Sequence, residues 1–151
     1  MRLDEIRPQF ILVIGGAGSG KNHYISKNYP DFKLIDVDEV KLTVDVRTAI
    51  NSIRPMLTRA FESGINVAHC TMGVNLEAQH NKIRLAKKYG YTVTLVLIDT
   101  APAKAIGQVR DRVQQGGHDV PIEKIVASNN AARNNFETLR HIADNAKVIK
   151  S

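Results

Sequence analysis

The sequence predicts an α/β protein with a parallel β-sheet, and three observations support this class. Short apolar runs alternate with amphipathic segments of helix length, the pattern of consecutive β-α-β units. Most of the runs are apolar at successive positions, as strands covered on both faces must be. The first run leads into a glycine-rich turn, "GGAGSGKN" at 15–22, before a helix. The 151 residues suffice for one domain, and we expect a single domain over 1–151.

Five strands and five helices follow from these patterns. The strands are predicted at 10–14, 32–36, 65–70, 92–99 and 147–149. The first helix begins after Lys21 and ends before Pro30, because proline cannot continue a helix. The second runs from about 44 to 63, with a bend expected near Pro55, and ends at Gly64. The last three helices are predicted within 76–90, 101–117 and 120–142.

The composition indicates a cytoplasmic protein with no membrane segment. No apolar run approaches the roughly 20 residues of a membrane helix, and the N-terminus does not read as a signal peptide. The single cysteine, Cys70, excludes an internal disulfide and fits a reducing compartment. The net charge of +6 suits an anionic partner such as a nucleotide or a nucleic acid, although it could equally serve solubility. With only 5% aromatic residues, a broad base-stacking surface is not expected.

The turn at 15–22 matches seven of the eight positions of the phosphate-binding pattern G-x-x-x-x-G-K-[ST]. Backbone N–H groups must curl around a phosphate there, which favours residues with little or no side chain. Lys21 is expected to bridge β- and γ-phosphate oxygens, and the helix start adds its free N–H groups and dipole. The alternative is a turn that only lets a helix pack on a strand. The residues assigned to nucleotide binding are Gly15, Gly16, Ala17, Gly18, Ser19, Gly20, Lys21 and Asn22.

The eighth position departs from the pattern, because Asn22 stands where a Ser or Thr hydroxyl normally binds Mg²⁺. An amide oxygen is also a ligand for a hard cation, although it sits one atom further out. The metal could therefore bind directly, through a water, or mainly to nucleotide oxygens and a carboxylate. We assign Asn22 and Asp36 to the metal and expect altered Mg²⁺ dependence.

A second motif, "LIDVDEVK" at 34–41, places two acids after the second strand, at the sheet edge where ligands bind in open α/β sheets. Together with the phosphate loop it resembles the zeta-toxin-like kinases and the phage-type polynucleotide 5′-hydroxyl kinases. The resemblance implies that Asp38 is the general base for the acceptor hydroxyl and that Lys41 lies near the substrate. For Asp36 the alternative is a helix N-cap or turn residue. The resemblance also implies a three-layer P-loop NTPase fold of the nucleotide-kinase type, with a five-stranded, mostly parallel sheet and a helical lid.

A third motif, "DRVQQGGHDVP" at 111–121, is similar to the zeta-toxin-like signature in which an arginine-bearing helix leads through Gly-Gly-His-x-Val-Pro into another helix. The resemblance implies a lid whose arginines neutralise charge on the transferred phosphoryl group. Arg112 falls on the lid position and is assigned a catalytic role with Lys21 and Asp38, while Arg110 assists. His118 either touches a phosphate or stabilises the turn.

A fourth stretch, at 70–99, is similar to the polynucleotide kinases in its third-strand end, its Asn-containing loop and its helix. The resemblance implies that Thr71 and Asn75 face the acceptor. Thr71 occupies the position of the aspartate typical of those kinases. His69 and Cys70 are interpreted as strand residues, because such a neighbouring pair is no metal site.

The leading hypothesis is an ATP- or NTP-dependent phosphotransferase with an alcohol group as acceptor and Mg²⁺ as cofactor. Arg47 and Arg54, seven residues apart on one helix face, favour a nucleic-acid acceptor, either a 5′-hydroxyl end or a hydroxyl of a modified base. The chain lacks the two arginine-containing pairs that zeta-like proteins carry after Pro121, which disfavours a nucleotide sugar or small nucleotide, the alternative acceptors. A module that binds a nucleotide without turnover, and a nucleic-acid-binding protein that uses the glycine loop on backbone phosphate, are the hypotheses of another class.

Overall fold

The computed structural model describes residues 7–37, 45–117 and 119–151. Three residues with predicted roles, Asp38, Lys41 and His118, lie outside the described residues. Within the described ranges, no helix has the length and hydropathy that a bilayer span requires.

Ten regular elements alternate along the described chain. The strands are β1 (Gln9–Ile14), β2 (Lys33–Asp36), β3 (Val67–Thr71), β4 (Thr92–Asp99) and β5 (Asn145–Lys150). The helices are α1 (Lys21–Asn28), α2 (Val46–Ser63), α3 (Leu76–Lys88), α4 (Pro102–Gln114) and α5 (Ile122–Leu139). This order is the β-α-β alternation that the sequence predicts.

The strands form one five-stranded sheet in the order β2-β3-β1-β4-β5, and all four pairings are parallel. Four of the five strands are largely buried, and β5 is the exposed exception. Because every strand runs the same way, all carboxyl ends lie at one edge. At that edge Ile14 pairs with Thr71, and Asp36 pairs with Cys70. The predicted α/β class and the five-stranded sheet are confirmed.

Helices cover both faces of this sheet, which makes the fold three-layered. Residues of α2, α3 and α5 pack with the side chains of Phe10, Leu12 and Ile14 on one face. On the other face, Ile25 of α1 packs with Ile11 and Val13. The alternation of side chains along β1 therefore fills both layers, which explains why the strand is apolar at successive positions.

Local signals set the ends of the helices. Asp45 caps α2, since its Oδ1 accepts from the backbone N–H of Thr48 at 2.9 Å. Gly64 ends that helix in the left-handed region with φ +73°, where a side chain would be strained. Asn75 caps α3 by accepting from the N–H of Ala78 at 3.0 Å. The predicted bounds agree with the observed elements to within a few residues.

Candidate nucleotide and phosphoryl-transfer site

The glycine-rich turn is a loop between β1 and α1, at the carboxyl edge of the sheet. Lys21 is the first residue of α1, and its Nζ donates to the carbonyl oxygens of Gly15 (2.9 Å) and Gly16 (3.2 Å). The backbone N–H of Gly15 donates to the Thr71 carbonyl at 3.3 Å, which ties the start of the loop to the end of β3. The ammonium therefore lies over the loop at the N-terminal end of α1, the end of a helix that favours anions.

Two of the loop glycines are required by close packing. A Cβ on Gly16 would lie 2.3 Å from the side chain of Asn129, and one on Gly18 would lie 2.3 Å from the Ala105 carbonyl oxygen. Gly18 also has φ +76°, which disfavours any other residue. The loop thus packs closely against α4 and α5. The absence of side chains at these glycines allows this packing, and it would also let a phosphate approach the loop backbone.

Helix α5 holds the loop through two side chains that the sequence analysis did not assign to the site. Ser128 Oγ accepts from the backbone N–H of Ala17 at 3.0 Å. Asn129 Nδ2 donates to the Ala17 carbonyl at 3.1 Å and to the Ile125 carbonyl at 2.8 Å. Both residues are buried. The pair stands where the zeta-like pattern expects a basic residue, and here it fixes the backbone of the loop.

Asn22 bridges two strands through its amide. Its Nδ2 donates to Asp36 Oδ2 at 3.1 Å, and its Oδ1 accepts from the Cys70 thiol at 3.0 Å. Asp36 is 3% exposed, so its carboxylate lies within the sheet edge. A buried carboxylate and an amide oxygen are the donor types that Mg²⁺ takes in proteins, so the residues present fit this cofactor. Asn22 and Asp36, the two residues that the sequence assigns to the metal, are in direct contact.

The residues predicted to face the acceptor have different surroundings. Thr71 is half-buried beside the phosphate loop. Asn75 is exposed, and its Oδ1 caps α3. Arg47 and Arg54 are both exposed on α2. The structure thus places Thr71 at the loop and the two arginines on an accessible helix face.

The predicted lid motif at 111–121 lies between helices α4 and α5, which together are called the helical arm here. Arg110 and Arg112 lie in the last turns of α4, and both are exposed. Arg133 of α5 is engaged elsewhere, because its Nε donates to Asp99 Oδ1 at 2.7 Å and its Nη2 donates to the Thr100 carbonyl at 3.3 Å. The guanidinium of Arg133 is therefore held at the end of β4 by Asp99 and Thr100.

The strand order, the phosphate loop with its lysine and the helical arm define the class of protein: the chain has the P-loop kinase fold. Residues 41–151 match the model of the zeta toxin family, and the chain belongs to that family. The phosphate loop at 15–22 precedes the matched region, so the family match and the loop are separate findings. A search of curated proteins found no match.

Solved structures support the same fold. A structure from the PezAT chromosomal toxin–antitoxin system of Streptococcus pneumoniae is 20% identical, with a TM-score of 0.78 over 96% of this chain and 69% of that chain. One from the Pnkp1/Rnl/Hen1 RNA repair complex is 14% identical, with a TM-score of 0.74 over 87% of this chain and 46% of that chain. One of the AvrRxo1-ORF1:-ORF2 complex with ATP is 15% identical, with a TM-score of 0.72 over 96% and 55%. At these identities the likeness establishes the fold.

Proposed function

We propose that this protein is an ATP- or NTP-dependent kinase that transfers the γ-phosphoryl group to a hydroxyl of a nucleic acid. The observation that carries the proposal is the phosphate loop at the start of α1, with Asp36 in contact with Asn22. An ammonium, helix N–H groups and a carboxylate converge there, which is the set of groups that phosphoryl transfer needs. The ATP complex among the structures of similar fold supports a nucleotide as donor.

On the donor side, the loop binds the phosphates and Lys21 releases its contacts with the loop carbonyls to reach the β- and γ-phosphate oxygens. Ser128 keeps the loop backbone in place while this exchange occurs. Asn22 and Asp36 would hold Mg²⁺ together with nucleotide oxygens. When bound, this cation neutralises phosphate charge and orients the transferred group.

On the acceptor side, Asp38 accepts the proton of the hydroxyl, late in a transition state that is mostly centred on the phosphoryl group. Arg112, assisted by Arg110, closes over the transferred group and neutralises its growing charge. His118 either touches a phosphate or stabilises the turn. Lys41, Thr71 and Asn75 contact the acceptor.

The nucleic-acid acceptor is supported by charge. The chain carries a net charge of +6, and Arg47 and Arg54 present two guanidinium groups on an exposed helix face. Arg133 is held by Asp99 and does not supply the phosphate clamp that a nucleotide-sugar kinase of the zeta type would use. A nucleotide sugar is the second candidate, as the resemblance to the zeta-toxin-like kinases implies.

The test is transfer from γ-labelled ATP with Mg²⁺ to separate acceptor pools. These pools are 5′-hydroxyl DNA, 5′-hydroxyl RNA, DNA with hydroxymethyl bases, and a panel of nucleosides and nucleotide sugars. We expect label in a nucleic-acid pool. Label confined to nucleotide sugars would contradict the nucleic-acid acceptor while supporting the kinase. Absence of label everywhere, with ATP binding demonstrated by thermal shift, would favour a module without turnover.

Lys21→Ala is the control for the donor site. It should abolish stabilisation of the fold by Mg-ATP together with any transfer, because the ammonium is the main cation of the loop. Persistent stabilisation of this variant by Mg-ATP would show that the nucleotide binds elsewhere.

A further inference from the structure

Helix α5 makes a further polar contact, with the irregular segment 72–75 between β3 and α3, which is called the β3–α3 loop here. Asn135 Nδ2 donates to the Gly73 carbonyl oxygen at 2.7 Å and to the Val74 carbonyl oxygen at 3.0 Å. A carbonyl oxygen can only accept, so the amide nitrogen faces the loop and both of its hydrogens are used. The side chain of Asn135 therefore gives two loop carbonyls the partners that a strand or helix would otherwise provide.

The β3–α3 loop lies directly beside the start of the phosphate loop. A Cβ on Gly73 would lie 2.8 Å from the Cβ of Ile14, so the backbone of Gly73 packs against that side chain. Ile14 is the last residue of β1 and immediately precedes the phosphate loop. The carbonyl of Thr71, at the end of β3, accepts from the N–H of Gly15. The β3–α3 loop is therefore held against the strand that leads into the phosphate loop.

The same helix thus holds two loops at two points. Ser128 accepts from the backbone of Ala17 in the phosphate loop, and Asn135 donates to the β3–α3 loop. Ser128 and Asn135 are seven positions apart, which is two helical turns, so they share one face of α5 at a separation of about 10 Å along its axis. Ala132 lies between them on that face and is fully buried. The spacing along this packed helix fixes how far apart the two loops are held.

Under the proposed function, these two loops serve the two substrates. The phosphate loop binds the donor. Thr71, which precedes the β3–α3 loop, and Asn75, its last residue, are assigned to the acceptor. Phosphoryl transfer requires the reacting groups to be aligned, and a misplacement of about 1 Å can lower a rate about 100-fold. A contact that fixes one loop relative to the other therefore bears on the rate of transfer.

We propose that Asn135 is a positioning residue for the acceptor, which holds the β3–α3 loop through α5 at a fixed distance from the phosphate loop. This rests on the proposed kinase function and adds a residue to its machinery. Asn135 acts through the loop carbonyls and contacts neither substrate. Its loss should therefore change the rate of transfer and leave the affinity for ATP unaltered.

The test compares Asn135→Ala and Asn135→Asp with Asn134→Ala, in transfer from γ-labelled ATP to the acceptor pool that wild type phosphorylates. Asn134 is the matched control, because it is an exposed residue of the same type on the same helix. Aspartate keeps the shape of the side chain but places an oxygen where two carbonyls need donors. We expect both Asn135 variants to lower kcat at saturating ATP about tenfold or more. The Kd of a non-hydrolysable ATP analogue, measured by calorimetry, should stay at the wild-type value, and Asn134→Ala should change neither quantity.

A double variant tests whether α5 acts as the spacer between the loops. Ser128 and Asn135 bind different partners two turns apart, so the effects of Ser128→Ala and Asn135→Ala on urea unfolding should add. Their effects on kcat should not multiply, because the first change already relaxes the distance between the loops. The double variant should therefore be more active than the product of the two single losses predicts. Losses of kcat that multiply would overturn the role of α5 as the spacer.

The remaining outcomes separate this inference from the function on which it rests. Wild-type kcat in both Asn135 variants would overturn the inference and leave the kinase function intact. A lower melting temperature with unchanged transfer well below that temperature would assign Asn135 to the fold alone and overturn it as well. Weaker ATP binding without a fall in kcat would place the effect on the donor side and contradict the role toward the acceptor. If wild type phosphorylates none of the pools, the inference fails together with the proposed function.

Discussion

At the scale of single residues, Asn22 is the position that separates this chain from the usual phosphate loop. Both ends of its amide are engaged, by the carboxylate of Asp36 and by the thiol of Cys70. A serine hydroxyl is too short to span both partners. The side chain of Asn22 thus connects the start of α1 to the ends of β2 and β3.

We predict that Asn22→Ser lowers the Mg²⁺ concentration needed for ATP-dependent stabilisation by about tenfold, the value of one hydrogen bond to a charged group. Serine restores the hydroxyl ligand and frees Asp36 from the amide. The measurement is a Mg²⁺ titration of the melting temperature at fixed ATP. Asn28→Ser, at the exposed end of the same helix, is the control. An unchanged Mg²⁺ requirement would show that position 22 does not limit metal binding.

His69 determines a pH dependence of stability. Its folded pKa of about 3 lies below the ordinary value of 6.5, so between these values the unfolded chain binds a proton that the folded chain does not. The free energy of unfolding should therefore fall as the pH is lowered below about 6.5, by up to about 1.4 kcal/mol per pH unit. The groups that face the imidazole are the Ile35 carbonyl from β2, and Lys82 and Gln79 from α3.

We expect His69→Gln to flatten this acid dependence, since glutamine can donate to the Ile35 carbonyl and accept from Lys82 without titrating. Urea unfolding between about pH 4 and pH 7 gives the measurement. His141→Gln changes an exposed histidine and should leave the curve unaltered. A His69→Gln curve with the slope of wild type would contradict the assignment.

Several of these residues could not be assigned from the sequence, for a physical reason. His69 and Lys82 are 13 positions apart and meet only because α3 packs back on its preceding strand. One signal was available: Gln79, Ile83 and Ala86 form the buried stripe of α3, and Lys82 falls beside it at helical spacing. A lysine at such a position is a candidate for a buried charge.

At the scale of elements, α5 links the phosphate loop to the core. Its first half binds the loop backbone through Ser128 and Asn129, and its second half packs Phe136 and Leu139 in the main core. Strands were predicted closely because a buried strand shows its apolar pattern locally. The contacts of α5 with the loop span more than 100 positions, so no local pattern indicates them.

Ser128→Ala should weaken ATP binding severalfold and destabilise the fold by about 1 kcal/mol, because the N–H of Ala17 loses its acceptor in a partly buried site. Calorimetric titration with ATP and urea unfolding measure the two effects. Thr138→Ala, at an exposed position of the same helix, is the matched control. If Ser128→Ala binds ATP as wild type does, the loop keeps its shape without this contact.

At the scale of the whole molecule, Asp99 connects three elements at the end of β4. It accepts from Arg133 of α5 at 2.7 Å and from Lys150 of β5 at 2.9 Å. The hydrogen bond from Arg133 is the main cause that lowers the pKa of Asp99, with a second from Lys150. Because the folded pKa is depressed, this contribution is present above the ordinary value of 3.8 and is lost as the pH falls through the folded pKa.

We predict that Asp99→Asn lowers the free energy of unfolding by about 1 kcal/mol near pH 7 and that the difference from wild type is smaller at a pH below the ordinary pKa of 3.8. Lys150 is largely exposed, which limits its share of the effect. Urea unfolding at the two pH values is the measurement. Asp111→Asn, an exposed change on α4, should be neutral at both. A constant difference across the pH range would contradict the ion-pair explanation.

The outer strand β5 has a consequence for self-association. Five of its six residues are exposed, and its sequence "NAKVIK" places a lysine at Lys147 and another at Lys150. The outer edge of an edge strand such as β5 presents backbone N–H and C=O groups with which a strand of another chain can pair. Such pairing is a first step towards fibrils. Two ammonium groups on six residues make such addition repulsive. The charges that bind Asp99 and Tyr29 within one molecule thereby also keep neighbouring molecules apart.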